Sequence, residues 1–386
     1  MPGRPPPIRT DTSNAFARRT IQVRVPAIIR ETQRLNPDYA PPIQQALDRL
    51  HDALVSDAPI PMLDLPAPDY DDWLAAWTTH NGETWQATEW FFAEIFTYRL
   101  LIEAVHWWET ARDPFAPKKV EDYEGAQLWD LLGSALAVEG SPEQVLSDMI
   151  EFALWGNRID LSYALAASHG QQRADGDLLV DERGPVIEHL LRQRGVVHLI
   201  TDNAGSELAL DLALSDRLLA DHLADQVVLH LKLHPTFVSD AIVPDVLHFL
   251  DLAQAHDSTS AAFSGRLRDD LEQGRLRLAP DGYWNSTRFL WDLPPRLTTL
   301  FSGGRLAITK GDANYRRMVG DAVWPPETPL AQATSWFPCP LLALRTLKSD
   351  AVVGLPPGLA DQLDAIDDQW RVNGRRGVLQ TNLEKT

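Results

Sequence analysis

Four short segments of this chain combine oxygen-bearing side chains with cations. TDNAGSE (Thr201 to Glu207) carries Asp202, Asn203 and Glu207, and HPTFVSDA (His234 to Ala241) carries Ser239 and Asp240. KGDANYR (Lys310 to Arg316) carries Lys310, Asp312, Asn314, Tyr315 and Arg316, and RTLK carries Arg345 and Lys348. Carboxylates and amides with no nearby His or Cys cluster suit a hard divalent cation such as magnesium or manganese. Lysine and arginine suit a phosphate. A metal beside cations reads as phosphoryl chemistry.

The elements that must position these residues follow from hydrophobic texture. Each segment comes directly after a short apolar run: Val196–Thr201, Val227–Lys232, Leu306–Thr309 and Leu341–Leu344, with a further run at Gly377–Thr381. Apolar strands alternating with helix-like stretches predict an α/β fold with a mostly parallel sheet covered on both faces. All carboxyl ends of such a sheet share one edge, where ligands bind. Before Gly195 the chain reads helical, over Arg24–Leu35, Pro42–Leu54, Asp71–Trp77, Trp85–Thr110, Ser141–Trp155 and Pro185–Gln193. In the Trp85–Thr110 run the apolar residues recur by threes and fours, as one buried stripe requires. The expected division is a helical region over 1–190 and a catalytic α/β domain over 191–386.

Each residue also has a plainer reading. Asp-Asn ahead of a helix is an ordinary N-cap, and taken alone that is the simpler account of Asp202 and Asn203. Glu207 offsets the helix dipole, and Gly205 serves a turn. Asp240 alone reads as a solvated loop acid, and Arg345 with Lys348 as a surface pair. His198, His230 and His106 read as structural. No GxxxxGK[ST] loop, strand-borne G-x-G-x-x-G or G-x-S-x-G elbow is present, and no Asp-x-Asp pair follows the first expected strand.

The net charge of −19 disfavours a nucleic-acid or anionic-membrane partner. A small phosphorylated metabolite stays compatible, because a metal and local cations reverse the field inside a pocket. The single cysteine, Cys339, excludes an intramolecular disulfide and a Cys-based zinc site, and fits a cytoplasmic setting. No secretory h-region or membrane-length apolar run is seen, and oligomeric state is open.

At these segments the chain resembles the damage-control phosphatase family, metal-dependent phosphatases of the subfamily with an RTxK motif. The resemblance runs through SNAFARRTIQVRVPAII, LWGNRIDLS, TDNAGSELALDLALSDRLL, LKLHPTFVSDA, DGYWNSTRFLWDLP, ITKGDANYRRMVGD and RTLK, in that order. It implies a helical N-terminal region packed on a Rossmann-like α/β/α sandwich. It implies Mn2+, Co2+, Ni2+ or Mg2+ held by Asp202, Asn203 and Asp240, and small sugar phosphates such as fructose 1-phosphate or fructose 6-phosphate as substrates. Glu207 matches an acid near the metal, Asp312 to Arg316 a substrate-binding loop, and Lys348 a phosphate contact, while Arg345 marks the subfamily. Lys310, Ser239 and Asn157 join the expected substrate contacts, Asn157 with Asp160 helping to close the pocket. Arg24 is expected to reach in from the N-terminal helices. The implied mechanism has Lys348, with Lys310 or Arg316, neutralising the phosphate, Asp312 or Glu207 handling the proton, and Asn314 and Tyr315 positioning the sugar. Water and an aspartate carboxylate stay open as nucleophile.

Two rivals remain. Eukaryotic relatives are also described as protein-glutamate methyltransferases using S-adenosylmethionine, but TDNAG holds one glycine where such enzymes usually have a glycine-rich turn. A non-catalytic sugar-phosphate or metal sensor is the other.

Overall fold

The computed structural model describes residues 3–156 and 177–384. Its centre is a seven-stranded sheet: β1 (Leu178–Asp181), β2 (Val196–Ile200), β3 (Gln226–Lys232), β4 (Leu276–Asp281), β5 (Gly304–Lys310), β6 (Leu341–Thr346) and β7 (Gly377–Asn382). The spatial order is β1-β7-β6-β5-β2-β3-β4. Strands β6, β5, β2, β3 and β4 are mutually parallel, while β7 runs antiparallel to β6 and pairs in parallel with β1. The α/β, mostly parallel architecture expected from the sequence is therefore present.

Strand side chains alternate between two cores, as the two-residue period of a strand demands. Leu306, Ile308, Leu342 and Leu344 enter the core on one face, and Ala307, Leu341 and Ala343 the core on the other. From β2 the chain steps outward to β3 and β4, then crosses to β5 on the opposite side of β2. That reversal opens a crevice at the carboxyl ends of β2 and β5, where open α/β sheets bind ligands.

The expected strands all form, and two edge strands were missed. Leu276–Asp281 interleaves Arg277, Pro280 and Asp281 with its apolar residues, which an edge position tolerates. Leu178–Asp181 is only four residues long and sits at the other edge.

The region expected to be one helical unit over 1–190 divides between cores. Residues from Ile8 to Phe115 build a core of their own around the helix Trp90–Ala104. From Tyr123 onward the helical residues pack on the sheet, with Leu128, Leu132, Met149 and Val186 in its core. The Trp85–Thr110 run also differs from expectation. Its helix spans Trp90–Ala104, and Trp90 to Ile102 are all buried, so the helix is enclosed rather than striped. Two buried charges in it are matched: Arg99 donates to Asp69 at 2.7 and 2.9 Å, and Glu94 accepts from Arg316 at 2.6 Å. His106, in a left-handed conformation, ends the run before a short helix Trp107–Thr110. Among the described residues no helix is long and apolar enough to cross a membrane.

His198 on β2 and His230 on β3 are buried side by side, Nδ1 to Nε2 at 3.1 Å, with Phe301 packed against both rings. Burial pushes His198 down to about 4. A histidine depressed in the folded state binds fewer protons there than in the unfolded chain. Its contribution is therefore intact above the unfolded value near 6.5 and is lost as pH falls towards 4. In denaturant titrations, His198→Leu should lose about 2 kcal/mol less than wild type between pH 7 and pH 5; equal losses would count against this source.

Candidate active site

Register and turn geometry bring the four segments together. Ile200 pairs with Thr309 on one side and His230 on the other, so the residues just past β2, β3 and β5 leave the sheet side by side. The turns after β2 and β3 are then joined by two backbone bonds, Ala204 N to Ser239 O at 2.7 Å and Ala241 N to Asp202 O at 2.8 Å. Before Ser239, Phe237 and Val238 both hold positive φ angles of 48° and 71°. Such angles are costly for an aromatic and a β-branched residue. This turn aims Ser239 and Asp240 back towards Asn203, whose Oδ1 accepts from Ser239 Oγ at 2.6 Å.

The result is a cavity of about 200 Å³ lined by Arg24, Trp90, Glu94, Asp202, Asn203, Phe237, Ser239, Asp240, Asp312, Ala313, Arg316 and Lys348. Larger cavities lie elsewhere, at Asp72–Asp292 and Pro42–His106, but this is the one at the strand ends. Its residues come from the ends of β2, β3, β5 and β6 and from two N-terminal helical segments, Thr20–Arg24 and Trp90–Ala104. The first of these is a single π-helical turn, a form that recurs at functional sites.

The N-cap reading of Asp202 and Asn203 gives way. The helix Ser206–Ala220 is capped by Asp122, whose carboxylate accepts from Ser206 N at 2.8 Å and Ser206 Oγ at 3.0 Å. Asp202 and Asn203 are left to face the cavity. Asn203 Nδ2 donates to Asp202 at 3.0 Å and to Glu207 at 2.9 Å. Burial, then the charges of Glu207 and Asp240, pushes Asp202 well above the ordinary carboxylate range. Asp240 is 1% exposed, so the solvated-loop reading also gives way. Burial pushes Asp240 up to about 6 against the pull of Lys232, whose Nζ lies 3.4 Å from Oδ2.

Several expected substrate contacts are committed elsewhere. Lys310 lies beneath the cavity, bonded to Asp211 at 2.6 Å and 3.2 Å from Glu207. Burial opposes its charge, but those two carboxylates more than offset it and hold Lys310 protonated. Arg345 bonds Asp312 at 2.8 Å, Ser349 O at 2.9 Å and Ala351 O, and stacks over Tyr315. Asp312 also accepts from Lys348 N and Ser349 Oγ, both at 3.0 Å. Burial would raise Asp312, but Arg345 and Arg316 overcome it and hold the group anionic. Arg316 lines the cavity while paired to Glu94 and Asp321, both at 2.6 Å, with its guanidinium over Trp90.

KGDANYR is a helix start rather than a loop, the helix being Gly311–Val319. At 100° per residue, Asp312, Ala313 and Arg316 face the cavity and the residues between them turn away. Asn314 Nδ2 instead ties Thr201 O to Lys310 O, both at 2.9 Å. Tyr315 donates to Gln380 at 2.9 Å on the far side. Neither lines the cavity. Asn157 and Asp160 lie outside the described residues. Lys348 and Arg24 are exposed at the cavity and form no ion pair among the described residues.

Among the described residues no three His, Cys, Asp or Glu side chains come together as a metal-holding group. The donor set here has a different composition: two carboxylates and the Asn203 amide, all oxygen, in a buried site of excess negative charge. That chemistry suits a hard divalent cation, which would relieve the repulsion that raises Asp202.

Sequence reasoning missed Lys232, Lys119, Asp122, Glu94 and Gly311. A lysine closing the apolar run VVLHLK and a glutamate inside WFFAEIF were the available signals, since unpaired charges are seldom placed in a core. Gly311 has φ +80°, and a Cβ there would overlap the Asp202 carboxylate.

A family profile described as "Damage-control phosphatase ARMT1-like domain" matches residues 20–363. Proteins named "Damage-control phosphatase ARMT1" are similar along most of the chain. The Danio rerio protein is 30% identical, covering 86% of this chain and 84% of its own. The Mus musculus protein is 31% identical over 78% and 76%, and the Homo sapiens protein 29% over 77% and 75%. Among solved structures, a DUF89 family protein from Pyrococcus horikoshii covers 94% of this chain and 99% of its own, with TM-score 0.49 and 15% identity.

Gly311→Ala should destabilise the protein by roughly 1–2 kcal/mol from the left-handed backbone alone, with Asp202 displaced besides. Gly303→Ala, with ordinary φ and open space around the added Cβ, is the control and should be neutral or slightly stabilising. Urea unfolding measures both; equal midpoints would show that the Gly311 turn tolerates a side chain.

Proposed function

The chain belongs to the damage-control phosphatase ARMT1-like family, and on that premise we propose that it is a divalent-metal-dependent phosphatase acting on small phosphate monoesters. The observation that carries this reading is the pairing of two buried acids, Asp202 and Asp240, with two uncommitted cations, Arg24 and Lys348, in one small cavity at the switch point of the sheet.

In this reading Asp202, Asn203 and Asp240 hold Mn2+, Co2+, Ni2+ or Mg2+. Such an ion supplies a Lewis acid for a phosphate oxygen and lowers the pKa of bound water. The chain's own residues do the rest. Lys348 and Arg24, both lining the cavity, neutralise phosphate charge that grows in the transition state. Arg316, held by Glu94 and Asp321, shapes the cavity wall without leaving them. Glu207 steadies the Asn203 amide, and Asp312, fixed as an anion by Arg345, holds the Lys348 backbone. Both act by holding neighbours rather than by passing a proton. Trp90 and Phe237 shield the non-phosphate part from water. A cavity of about 200 Å³ suits a substrate as small as fructose 1-phosphate or fructose 6-phosphate.

The test is phosphate release from fructose 1-phosphate, fructose 6-phosphate and nitrophenyl phosphate, with Mn2+, with Co2+ and with chelator. Release should require metal and fall by about a hundredfold or more in Asp240→Ala, since loss of even a group that only orients a metal ligand costs about 10–100-fold. Lys348→Met should lower kcat more than it raises KM, because the charge it meets grows in the transition state. Metal-independent release, or full activity in Asp240→Ala, would overturn the proposal. Methyl transfer from labelled S-adenosylmethionine to protein carboxylates without phosphate release would move the assignment to the methyltransferase.

A further inference from the structure

The helix Ala116–Tyr123 lies before the region where the sequence located the catalytic residues, yet it touches both acidic turns. Near its end, Asp122 accepts from the backbone and hydroxyl of Ser206. Three residues earlier, Lys119 Nζ donates to the Asp240 carbonyl at 3.2 Å and to Asp245 at 2.7 Å, with Asp113 at 2.9 Å. Asp245 in turn accepts from Ile242 N at 2.9 Å. The three-residue spacing places Lys119 and Asp122 on neighbouring positions of one helix face. Gly205, φ +71°, leaves the space that the Asp122 carboxylate fills; a Cβ there would overlap it.

We propose that this helix is a clamp that sets the spacing between the Asp202–Asn203 turn and the Asp240 turn, with Asp122 and Lys119 as positioning residues. The two turns are joined directly by a pair of backbone bonds and by the Ser239–Asn203 side-chain bond, and their acids repel. An outside brace gripping the chain three residues past Asn203 on one turn, and at Asp240 itself on the other, opposes that repulsion. The clamp is a statement about geometry; only what the turns hold rests on the proposed function.

Lys119 is buried with two carboxylates, so removing it strands both and risks the fold. Asp122 is exposed and is the cleaner probe. Hydrogen exchange should be compared in wild type, Asp122→Ala and Asp122→Asn, alongside Mn2+ binding followed by the paramagnetic resonance of the free ion. Asp122→Ala should speed exchange roughly tenfold in peptides covering both 202–206 and 239–242, leaving β5 and β6 unchanged. It should weaken Mn2+ binding by about tenfold. Asp122→Asn keeps an acceptor oxygen and should restore both. Faster exchange confined to 202–206, or an Asn variant as impaired as the Ala variant, would overturn the clamp. Failure of wild type to bind Mn2+ would instead count against the proposed function, and the exchange pattern would still decide the clamp.

Discussion

Charge balance in a water-poor space is the constraint on which this structure depends. Acids crowd the carboxyl edge of the sheet, and each buried group is matched to a cation drawn from elsewhere. Lys232 stands by Asp240, Lys310 lies between Glu207 and Asp211, Arg345 grips Asp312, and Arg316 spans Glu94 and Asp321. Breaking one such buried pair costs about 3–5 kcal/mol, because the surviving partner is left uncompensated. The site is thus a lattice of fixed charges, and its cations are mostly spent on holding it. Asp202 is the exception: Lys348 and Lys232 pull on it only at a distance, and Glu207 and Asp240 push it up.

The topology explains why so many charges meet there. The chain reverses direction across β2, so the loops after β2 and β5 diverge and leave a crevice between them. Into that crevice the N-terminal core inserts Trp90 and Glu94 from one helix and Arg24 from a π turn. The Glu94–Arg316 pair is therefore both a cavity wall and one bond between the N-terminal helices and the sheet. Asn14 adds another link, donating to Asp350 at 2.7 Å, two residues beyond Lys348. The N-terminal helices are part of the site, not an appendage to it.

Much of this was legible in the sequence. Apolar runs ending in DN, SD, KGD and RTLK located the strand ends, and the parallel order made their convergence a matter of geometry. What was not legible is which way each side chain turns. Within DANYR the sequence offers four polar or aromatic candidates of equal standing. Only the start of the helix at Gly311 decides that Asp312 and Arg316 face the cavity while Asn314 and Tyr315 face strand ends and Gln380. Likewise a cation reads as a phosphate ligand until its partner is known. Lys310 and Arg345 are distant in sequence from Asp211 and Asp312, and nothing local announces those pairs. Gly205 reads as an ordinary turn and Gly311 draws no notice in the sequence, because the carboxylates filling their missing side-chain space come from Asp122 and Asp202.

The same pairing logic separates the roles of the cations. A guanidinium held by two carboxylates at 2.6 Å cannot follow a phosphate through a reaction without abandoning buried charge. An exposed ammonium or guanidinium with no partner can, at the cost of side-chain freedom alone. Arg24 and Lys348 form no ion pair among the described residues, and they sit on the π turn and on the loop after β6. Paired charges thus shape the cavity, and the exposed Arg24 and Lys348 are left to meet what enters it.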